Sequence, residues 1–303
     1  MPRLNNPADL ARWREQIVRE QTPPKPRITV CTGTGCSSAG SRDVVRKLKE
    51  ELSKDSEQSQ TDVQATGCHG FCECGPLVVL HPSNVFYNKV KTEHVPKILT
   101  ALKNGNVVES LLYIDPVTQK SVMHERAVPF YSGQQRIALG KNGLIDPRST
   151  DDYIALGGYG ALAKVLMERM PEQVVALIKE SGLRGRGGAG FPTGTKWEIA
   201  AQNIAAHRMN HPTPDPRHPS PGFVICNGDE GDPGAFMDRS ILEGNPHGVL
   251  EGMLIGGFAL GANAGYFYIR DEYPLAVEFV TRAIEQATEY GLVGKNILGS
   301  GFD

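Results

Sequence analysis

The chain has 303 residues, with 32 basic and 34 acidic side chains and a formal net charge of −2. This length suits two domains of ordinary size, and the balanced charge argues against a nucleic-acid partner. No apolar run reaches the length of a membrane span, and the first ten residues lack the apolar core of a secretory signal. We therefore expect a cytoplasmic protein that makes no direct membrane span.

The chain opens with a predicted helix that begins at Asn6-Pro7 and ends before the three prolines of 21–27. The elements that follow have the order β-α-β-β-α, which fits a small thioredoxin-like α/β domain. The predicted strands are 28–30, 63–66, 76–80 and 85–90, and the predicted helices are 41–52 and 94–102. We place the domains at 1–26 (helix and linker), 27–125 and 126–303.

Five of the six cysteines lie in the first domain, four of them in the pairs C-x4-C (Cys31, Cys36) and C-x3-C (Cys68, Cys72). Four thiolates from two loops meet the requirement of a 2Fe–2S cluster. Tetrahedral zinc is the structural alternative, and disulfides are disfavoured in a reducing compartment. The fifth cysteine, Cys74, is expected to be a non-ligand, with exchange for Cys72 as the alternative. His69 is expected to lie beside the metal site, where it could hydrogen-bond a sulfur.

Residues 106–136 form a connector with one short predicted strand, and 130–139 a linker into the second domain. Helices are predicted at 151–168 and 171–180, with Gly182 as the residue that ends the latter. A further helix is predicted at 196–206. The segment 207–221 is rich in proline and contains His207, His211 and His218; a solvated loop is favoured over a metal site.

The stretch from Ser181 to Trp197 reads S-G-L-R-G-R-G-G-A-G-F-P-T-G-T-K-W. Glycine allows positive φ and lets backbone N–H groups approach an anion where a loop enters a helix. Arg186 and Lys196 add positive charge, and Phe191 offers a ring that could stack on a flat heterocycle. This pattern predicts a nucleotide or dinucleotide site, with a flexible linker as the alternative.

A buried strand is predicted at 223–226, followed by N-G-D-E-G-D-P-G-A-F-M-D-R. In open α/β sheets, ligands bind at the carboxyl ends of the parallel strands, where polar side chains directly follow a strand. They could hydrogen-bond a ligand, whereas an acidic cap on a turn is the structural alternative. Cys226 is expected to be a small buried apolar residue. A helix at 247–260, a strand at 266–270 and a helix at 274–290 follow.

The glycine-rich stretch resembles the flavin- and NADH-binding loop of the NADH-oxidising subunit of respiratory complex I, which recurs in NAD-dependent hydrogenases and formate dehydrogenases. The resemblance implies that FMN and NAD(H) share this loop, with Asp232 directed toward NADH. Gly228 stands where the family usually has alanine. The implied cofactor-binding residues are Gly185, Arg186, Gly187, Gly188, Ala189, Gly190, Phe191, Lys196, Asn227, Asp229, Glu230 and Asp232.

The cysteine pattern is similar to the thioredoxin-like 2Fe–2S ferredoxin of the same families, which implies that Cys31, Cys36, Cys68 and Cys72 are the cluster ligands. The segments G-C-H-G-F-C-E and D-P-G-A-F-M-D-R resemble the beta subunit of multimeric, often electron-bifurcating, hydrogenases and formate dehydrogenases. The implied fold is a thioredoxin-like domain followed by a Rossmann-like α/β FMN/NADH-binding domain.

The resemblance implies an oxidoreductase subunit that passes electrons between NAD(P)(H), FMN and iron–sulfur clusters, with no catalytic side chain for hydride transfer. Its partners would be other iron–sulfur and catalytic subunits, and ferredoxin. A complex I type NADH dehydrogenase module is the alternative, and a non-catalytic zinc-bound scaffold is the alternative from another class. Only two strands are predicted after residue 140, so we expect the chain to end inside a domain. The resemblance implies that it ends before a further flavin loop and a segment that carries a 4Fe–4S cluster.

Overall fold

A computed structural model describes residues 2–22, 25–55, 60–211, 222–232 and 234–303. The chain divides into two compact units. The first, here called the cysteine unit, comprises Ile17–Asp152 and Phe236–Pro246. The second, called the loop unit, comprises Met1–Gln16, Tyr153–Ala235 and His247–Asp303. The boundaries predicted at residues 26 and 125 stay predictions.

The cysteine unit is built on a four-stranded mixed sheet. Its strands are β1 (Arg27–Cys31), β2 (Asp62–Thr66), β3 (Val78–His81) and β4 (Val85–Tyr87), in the spatial order β2-β1-β3-β4. β1 runs parallel to β2, with Cys31 opposite Thr66, and antiparallel to β3. β3 begins two residues later than predicted and β4 ends three residues earlier.

Helices cover one face of this sheet. Helix α1 (Pro7–Glu20) precedes the sheet, and α2 (Thr34–Ser38), α3 (Ser41–Leu52) and α4 (Val95–Lys103) belong to the cysteine unit. Because side chains alternate along a strand, Ile28 and Val30 enter a core with α3 and α4, while Cys31 enters a second core on the opposite face. The predicted order β-α-β-β-α is confirmed, with the short helix α2 added.

The predicted connector is part of the cysteine unit. It holds a 3₁₀ turn (Glu109–Leu111), a two-residue hairpin of β5 (Tyr113–Ile114) and β6 (Ser121–Val122), and α5 (Pro129–Ser132). The single strand predicted here was therefore wrong. The linker prediction was also wrong at its start, because the Phe130 ring stacks on Phe71 with centroids 4.5 Å apart.

Helices and a parallel strand pair make up the rest of the chain. The helices are α6 (Thr150–Ala155), α7 (Gly160–Glu168), α8 (Pro171–Glu180), α9 (Thr193–Asn210), α10 (Met237–Gly244), α11 (Pro246–Leu260) and α12 (Pro274–Glu289), and the strands are β7 (Phe223–Gly228) and β8 (Ala264–Ile269). Gly182 ends α8 with φ +66°, as predicted. α10 lies in the cysteine unit.

The single helix predicted for 151–168 was wrong, because the chain breaks between α6 and α7. Gly157 has φ +85° and Tyr159 has φ +58°. The buried carboxylate of Glu251 accepts hydrogen bonds of 3.0 Å from the backbone N–H groups of Tyr159 and Leu162. A carboxylate satisfies the orphan donors at a helix N-terminus, so this contact from α11 starts a new helix.

Strand β7, which was predicted at 223–226 to be buried, is exposed on one face. Phe223 is 49% exposed and Ile225 64% exposed. Ile225 lies opposite Tyr266 in the parallel register of β7 and β8. Of the two tyrosines in the segment 268–274, Tyr273 is buried, whereas Tyr268 is 60% exposed.

Candidate functional site

The four predicted ligand cysteines come together in the cysteine unit. Cys31 ends β1 and Cys36 lies in α2, while Cys68 and Cys72 lie in the segment after β2. The sulfurs of Cys68 and Cys72 are 3.6 Å apart. Interactions with the thiols of Cys36 and Cys68 raise the pKa of Cys31, so Cys31 lies close to both. The two sequence pairs therefore form one cluster of four thiols.

The backbone around these thiols has no room for larger residues. A Cβ added to Gly33 would lie 2.7 Å from the Cβ of Cys68, and one added to Gly75 would lie 2.6 Å from the Cys36 sulfur. Within the described residues, no three His, Cys, Asp or Glu side chains surround one ion position. A binuclear cluster does not need such a group, because two thiolates bind each iron and sulfides bridge the pair. The four thiols and their glycine cradle thus fit a 2Fe–2S cluster.

The thiols shift one another's pKa. Hydrogen bonds with Cys36 and Cys68, together with burial, raise the pKa of Cys31 well above its usual range. The reciprocal bond from Cys31 lowers the pKa of Cys36, and bonds from Cys31 and Cys72 lower that of Cys68. The backbone N–H of Gly70 also donates to the Cys68 sulfur at 3.2 Å. Thiolate, the form that binds metal, is therefore favoured at Cys36 and Cys68, whereas the bonds to neighbouring thiols and burial raise the pKa of Cys31 and Cys72.

His69 does not bond a sulfur, so that expectation was wrong. Its Nδ1 bonds the carboxylate of Glu125 at 2.7 Å, and its Nε2 bonds the hydroxyl of Thr66 at 3.2 Å. Burial would raise the pKa of Glu125, but the bond with His69 and the nearby charge of Arg136 outweigh it and lower that pKa. Arg136 also donates to the backbone carbonyl of His69 at 3.1 Å. His69 thus holds the cysteine loop in place.

Cys74 is 8% exposed and packs in the apolar core that contains Phe71 and Tyr131. Burial raises the pKa of its thiol. This environment is that of a packing residue.

The glycine-rich stretch forms a closed loop in the loop unit. The Gly185 N–H donates to the Phe191 carbonyl at 2.8 Å, and the Thr193 N–H donates to the Leu183 carbonyl at 2.9 Å. Gly188 and Gly190 have φ of +82° and +58°, which only glycine adopts without strain. The loop runs directly into α9, so the prediction that it precedes a helix N-terminus is confirmed, although α9 begins at Thr193 and not at Lys196.

The tip of this loop offers free backbone donors. In the described part of the chain, the N–H groups of Arg186, Gly187 and Gly188 donate to no protein group. Phe191 is 50% exposed, and Lys196 is exposed in the first turn of α9. Free N–H groups, a helix N-terminus and a cationic side chain together suit a phosphate. An exposed ring beside them suits a flat heterocycle, so the loop fits FMN.

The polar residues after β7 lie at the carboxyl edge of the strand pair. Asn227, Asp229 and Asp232 are exposed, while Glu230 is 8% exposed. The Oδ1 of Asn227 accepts from the Asp229 N–H at 3.0 Å, which turns the chain at the strand end. Three of the four predicted polar side chains are thus exposed, and Glu230 is buried.

Two glycines show where α9 packs in the loop unit. A Cβ on Gly222, at the start of β7, would lie 2.9 Å from Ile204 in the second half of α9. A Cβ on Gly256 would lie 3.3 Å from the Trp197 ring and 4.0 Å from Val224, further along β7. Ile204 of α9 therefore packs at the start of β7, and the Trp197 ring of α9 packs against Gly256 of α11.

Arg270 is a candidate residue that the sequence analysis missed. It follows β8, next to β7, and its guanidinium donates a hydrogen bond to the backbone carbonyl of Glu230. Hydrogen bonding to Arg270 also lowers the pKa of Glu272 to about 2. The rule that identified Asn227, a polar side chain directly after a parallel strand, applies equally to Arg270.

The histidines of 207–221 are only partly described. His207 lies in α9, and its ring stacks on that of His211 with centroids 4.6 Å apart. The remainder of the predicted loop, with His218, lies outside the described residues.

Two family models match the chain. Residues 16–103 match the thioredoxin-like 2Fe-2S ferredoxin, and residues 178–298 match the Nuo51 FMN-binding domain. The chain therefore contains an N-terminal thioredoxin-like 2Fe–2S ferredoxin domain followed by an FMN-binding domain of the Nuo51 type. The predicted fold class and these two cofactors are confirmed.

The relatives are components of redox complexes. The chain is 56% identical over 170 residues to the NADP-reducing hydrogenase subunit HndC of Solidesulfovibrio fructosivorans, covering 56% of this chain and 31% of that protein. It is 48% identical over 155 residues to an NADH-quinone oxidoreductase subunit of Aquifex aeolicus, and the match covers 51% of this chain and 33% of that protein. The chain thus spans about a third of the length of the curated relatives it matches.

Among solved structures, a thioredoxin-like 2Fe-2S ferredoxin from Aquifex aeolicus is similar, with 33% identity and a TM-score of 0.28 over 29% of this chain and 88% of that one. None of the helices in the described ranges is long and apolar enough to cross a membrane.

Proposed function

We propose that this chain is the NADH-binding flavoprotein and iron–sulfur part of a multisubunit cytoplasmic oxidoreductase. The proposal is supported by the glycine loop, in which the N–H groups of 186–188 donate to no described protein group and which runs into the N-terminus of α9. When bound there, FMN exchanges hydride with NAD(H) and single electrons with iron–sulfur centres.

The residues of the loop unit bind and orient in this proposal. The backbone of 185–190 and the N-terminus of α9 hold the phosphate, with charge from Arg186 and Lys196. Phe191 stacks on the flat ring of a cofactor. Asn227, Asp229 and Glu230 hydrogen-bond the flavin, and Asp232 is directed toward the nicotinamide.

In the cysteine unit, Cys31, Cys36, Cys68 and Cys72 hold the 2Fe–2S cluster, and Cys74 does not. The donors around Cys68 stabilise negative charge on its sulfur, which favours the thiolate ligand. A 4Fe–4S cluster would be a further centre of the assembly.

A hydrogenase or formate dehydrogenase complex, with NAD(P)(H) and ferredoxin as exchange partners, is the assembly we favour. The 56% identity to a hydrogenase subunit supports this choice. An NADH dehydrogenase module of the complex I type is the second candidate, supported by the 48% identity to a component of an NADH-quinone oxidoreductase.

The test is reconstitution of the whole chain with FMN, iron and sulfide. We expect a brown protein with a flavin shoulder, bound iron and sulfide, and flavin reduction by NADH. A colourless protein that takes up zinc in place of iron would identify the scaffold alternative. Mass spectrometry of the native complex would then separate the two candidate assemblies by their other subunits.

A further inference from the structure

We propose that α10 is a positioning element of the iron–sulfur site, and that the buried carboxylate of Glu243 fixes the loop between Cys31 and Cys36. Glu243 would thereby help to set the redox potential of the cluster. The inference rests on the proposed 2Fe–2S site.

The contact is direct and buried. The Thr34 hydroxyl, at the start of α2, donates to Glu243 Oε2 at 2.9 Å. Glu243 Oε1 accepts from the Arg239 guanidinium at 3.0 Å, and the Glu243 side chain is 3% exposed. With both oxygens bonded, the carboxylate has a fixed orientation, and so has the threonine that it holds.

α10 also holds the loop that carries the second cysteine pair. The side-chain nitrogen of Asn142 donates to the Cys68 carbonyl at 3.0 Å and to the Ser240 carbonyl at 3.2 Å. A Cβ on Gly67 would lie 2.3 Å from the Cα of Gly244, so the two backbones are in close contact. One turn of α10 therefore contacts the loops of both cysteine pairs.

These contacts come from outside the ferredoxin match. Residues 16–103 form that match, whereas α10 lies within 178–298 and follows the candidate flavin loop along the chain. A buried ion pair is often no more stabilising than apolar residues of the same volume. The contribution of this ion pair to stability is thus a weak explanation for the presence of Glu243 and Arg239 at buried positions. Their role in holding the cysteine loops is a more specific explanation.

The charge at this position has a predictable effect on the cluster. Reduction adds one negative charge to the cluster. Glu243→Gln removes a negative charge beside the Cys31–Cys36 loop and leaves the positive charge of Arg239 without this partner. Both changes favour the reduced cluster, so the midpoint potential should rise.

The experiment compares variants of the whole reconstituted chain by iron and sulfide content, by the EPR spectrum of the reduced cluster and by redox titration. The variants are Glu243→Gln, Thr34→Val, their combination, and Glu50→Gln as a control with the same charge change on the exposed face of α3. We expect full iron content and a higher potential in Glu243→Gln, and wild-type behaviour in Glu50→Gln. The double variant should be non-additive, because one hydrogen bond joins the two residues.

A wild-type potential and EPR spectrum in iron-replete Glu243→Gln would overturn the inference. If Glu243→Gln fails to assemble the cluster, the EPR spectra of Glu243→Asp and Thr34→Val test the inference instead. An altered spectrum in either variant would support the inference, and wild-type spectra in both would reject it. A wild-type chain that binds zinc would instead overturn the proposed function, and this inference with it.

Discussion

The hydroxyl of Tyr273 donates a hydrogen bond of 3.3 Å to the carboxylate of Glu230. Both side chains are buried, with exposures of 5% and 8%. Glu230 follows β7 and Tyr273 follows β8, so the bond joins the two strand ends where the candidate flavin residues lie. The carboxylate proposed to face the cofactor is thus oriented by a side chain that is itself inside the fold.

Replacing Tyr273 by phenylalanine removes this donor from a buried carboxylate. We expect a loss of about 1.5–3 kcal/mol in unfolding free energy and weaker FMN binding, because a hydrogen bond to a charged group is lost. Urea unfolding and flavin titration measure the two effects. Tyr268→Phe is the control, since Tyr268 is 60% exposed on β8. Equal stability of the two variants would show that the Tyr273 bond contributes nothing.

Lys196→Ala should weaken FMN binding without affecting the fold. The side chain is exposed in the first turn of α9, so its loss leaves no cavity. Removal of one charge-assisted hydrogen bond costs about 1.5–3 kcal/mol in affinity, or roughly ten- to a hundredfold. Fluorescence titration of FMN measures this loss, with Lys164→Ala on the exposed face of α7 as the control. Unchanged flavin affinity and unchanged NADH oxidation would exclude Lys196 from the site.

The cysteine site could be predicted because the sequence patterns that indicate it are short and local. Each pair of cysteines follows a short strand, and strand order brings the two loops together. The contacts that hold these loops could not be predicted. Glu243 and Asn142 lie more than about 70 residues from Cys68 along the chain, and only the folded chain brings them close. The break between α6 and α7 was missed for the same reason, because it depends on Glu251 of α11.

Cys72→Ser and Cys74→Ala form a matched pair that tests the ligand set. Cys72 is joined to Cys68 at 3.6 Å, whereas Cys74 packs among apolar side chains. We expect iron and sulfide to be lost or reduced in Cys72→Ser and unchanged in Cys74→Ala. Metal analysis and visible absorption give the answer. Retention of the cluster in the first variant and its loss in the second would assign the ligand role to Cys74.

Gly194→Ala should destabilise the loop unit although alanine is the better helix former. Alanine gains up to about 1 kcal/mol over glycine in a helix interior. Here its Cβ would lie 2.4 Å from the Cα of Lys179, so α8 and α9 must separate, and overpacking of this kind costs about 1–3 kcal/mol. Thermal unfolding measures the net loss. Gly187→Ala is the control, because its Cβ meets nothing within 4 Å; equal melting temperatures would contradict the close packing.

His247 should make the stability of the loop unit depend on pH. Burial lowers its pKa to about 4, while an unfolded histidine titrates near 6.5. Its Nδ1 bonds the Tyr159 hydroxyl at 2.8 Å, and its ring stacks on Tyr153, which in turn donates to Glu251. The folded state therefore favours the neutral ring, and the unfolded state binds the extra proton first.

The resulting stabilisation is fully present above about pH 6.5 and is lost as the pH falls from there to about 4. The difference in pKa corresponds to about 3 kcal/mol over that range. Urea unfolding at half-unit pH steps should show this slope in the wild-type chain. His247→Gln retains an acceptor for Tyr159 but cannot titrate, so its stability should fall less between pH 6.5 and 4. Parallel pH profiles for the two proteins would show that His247 does not titrate on unfolding.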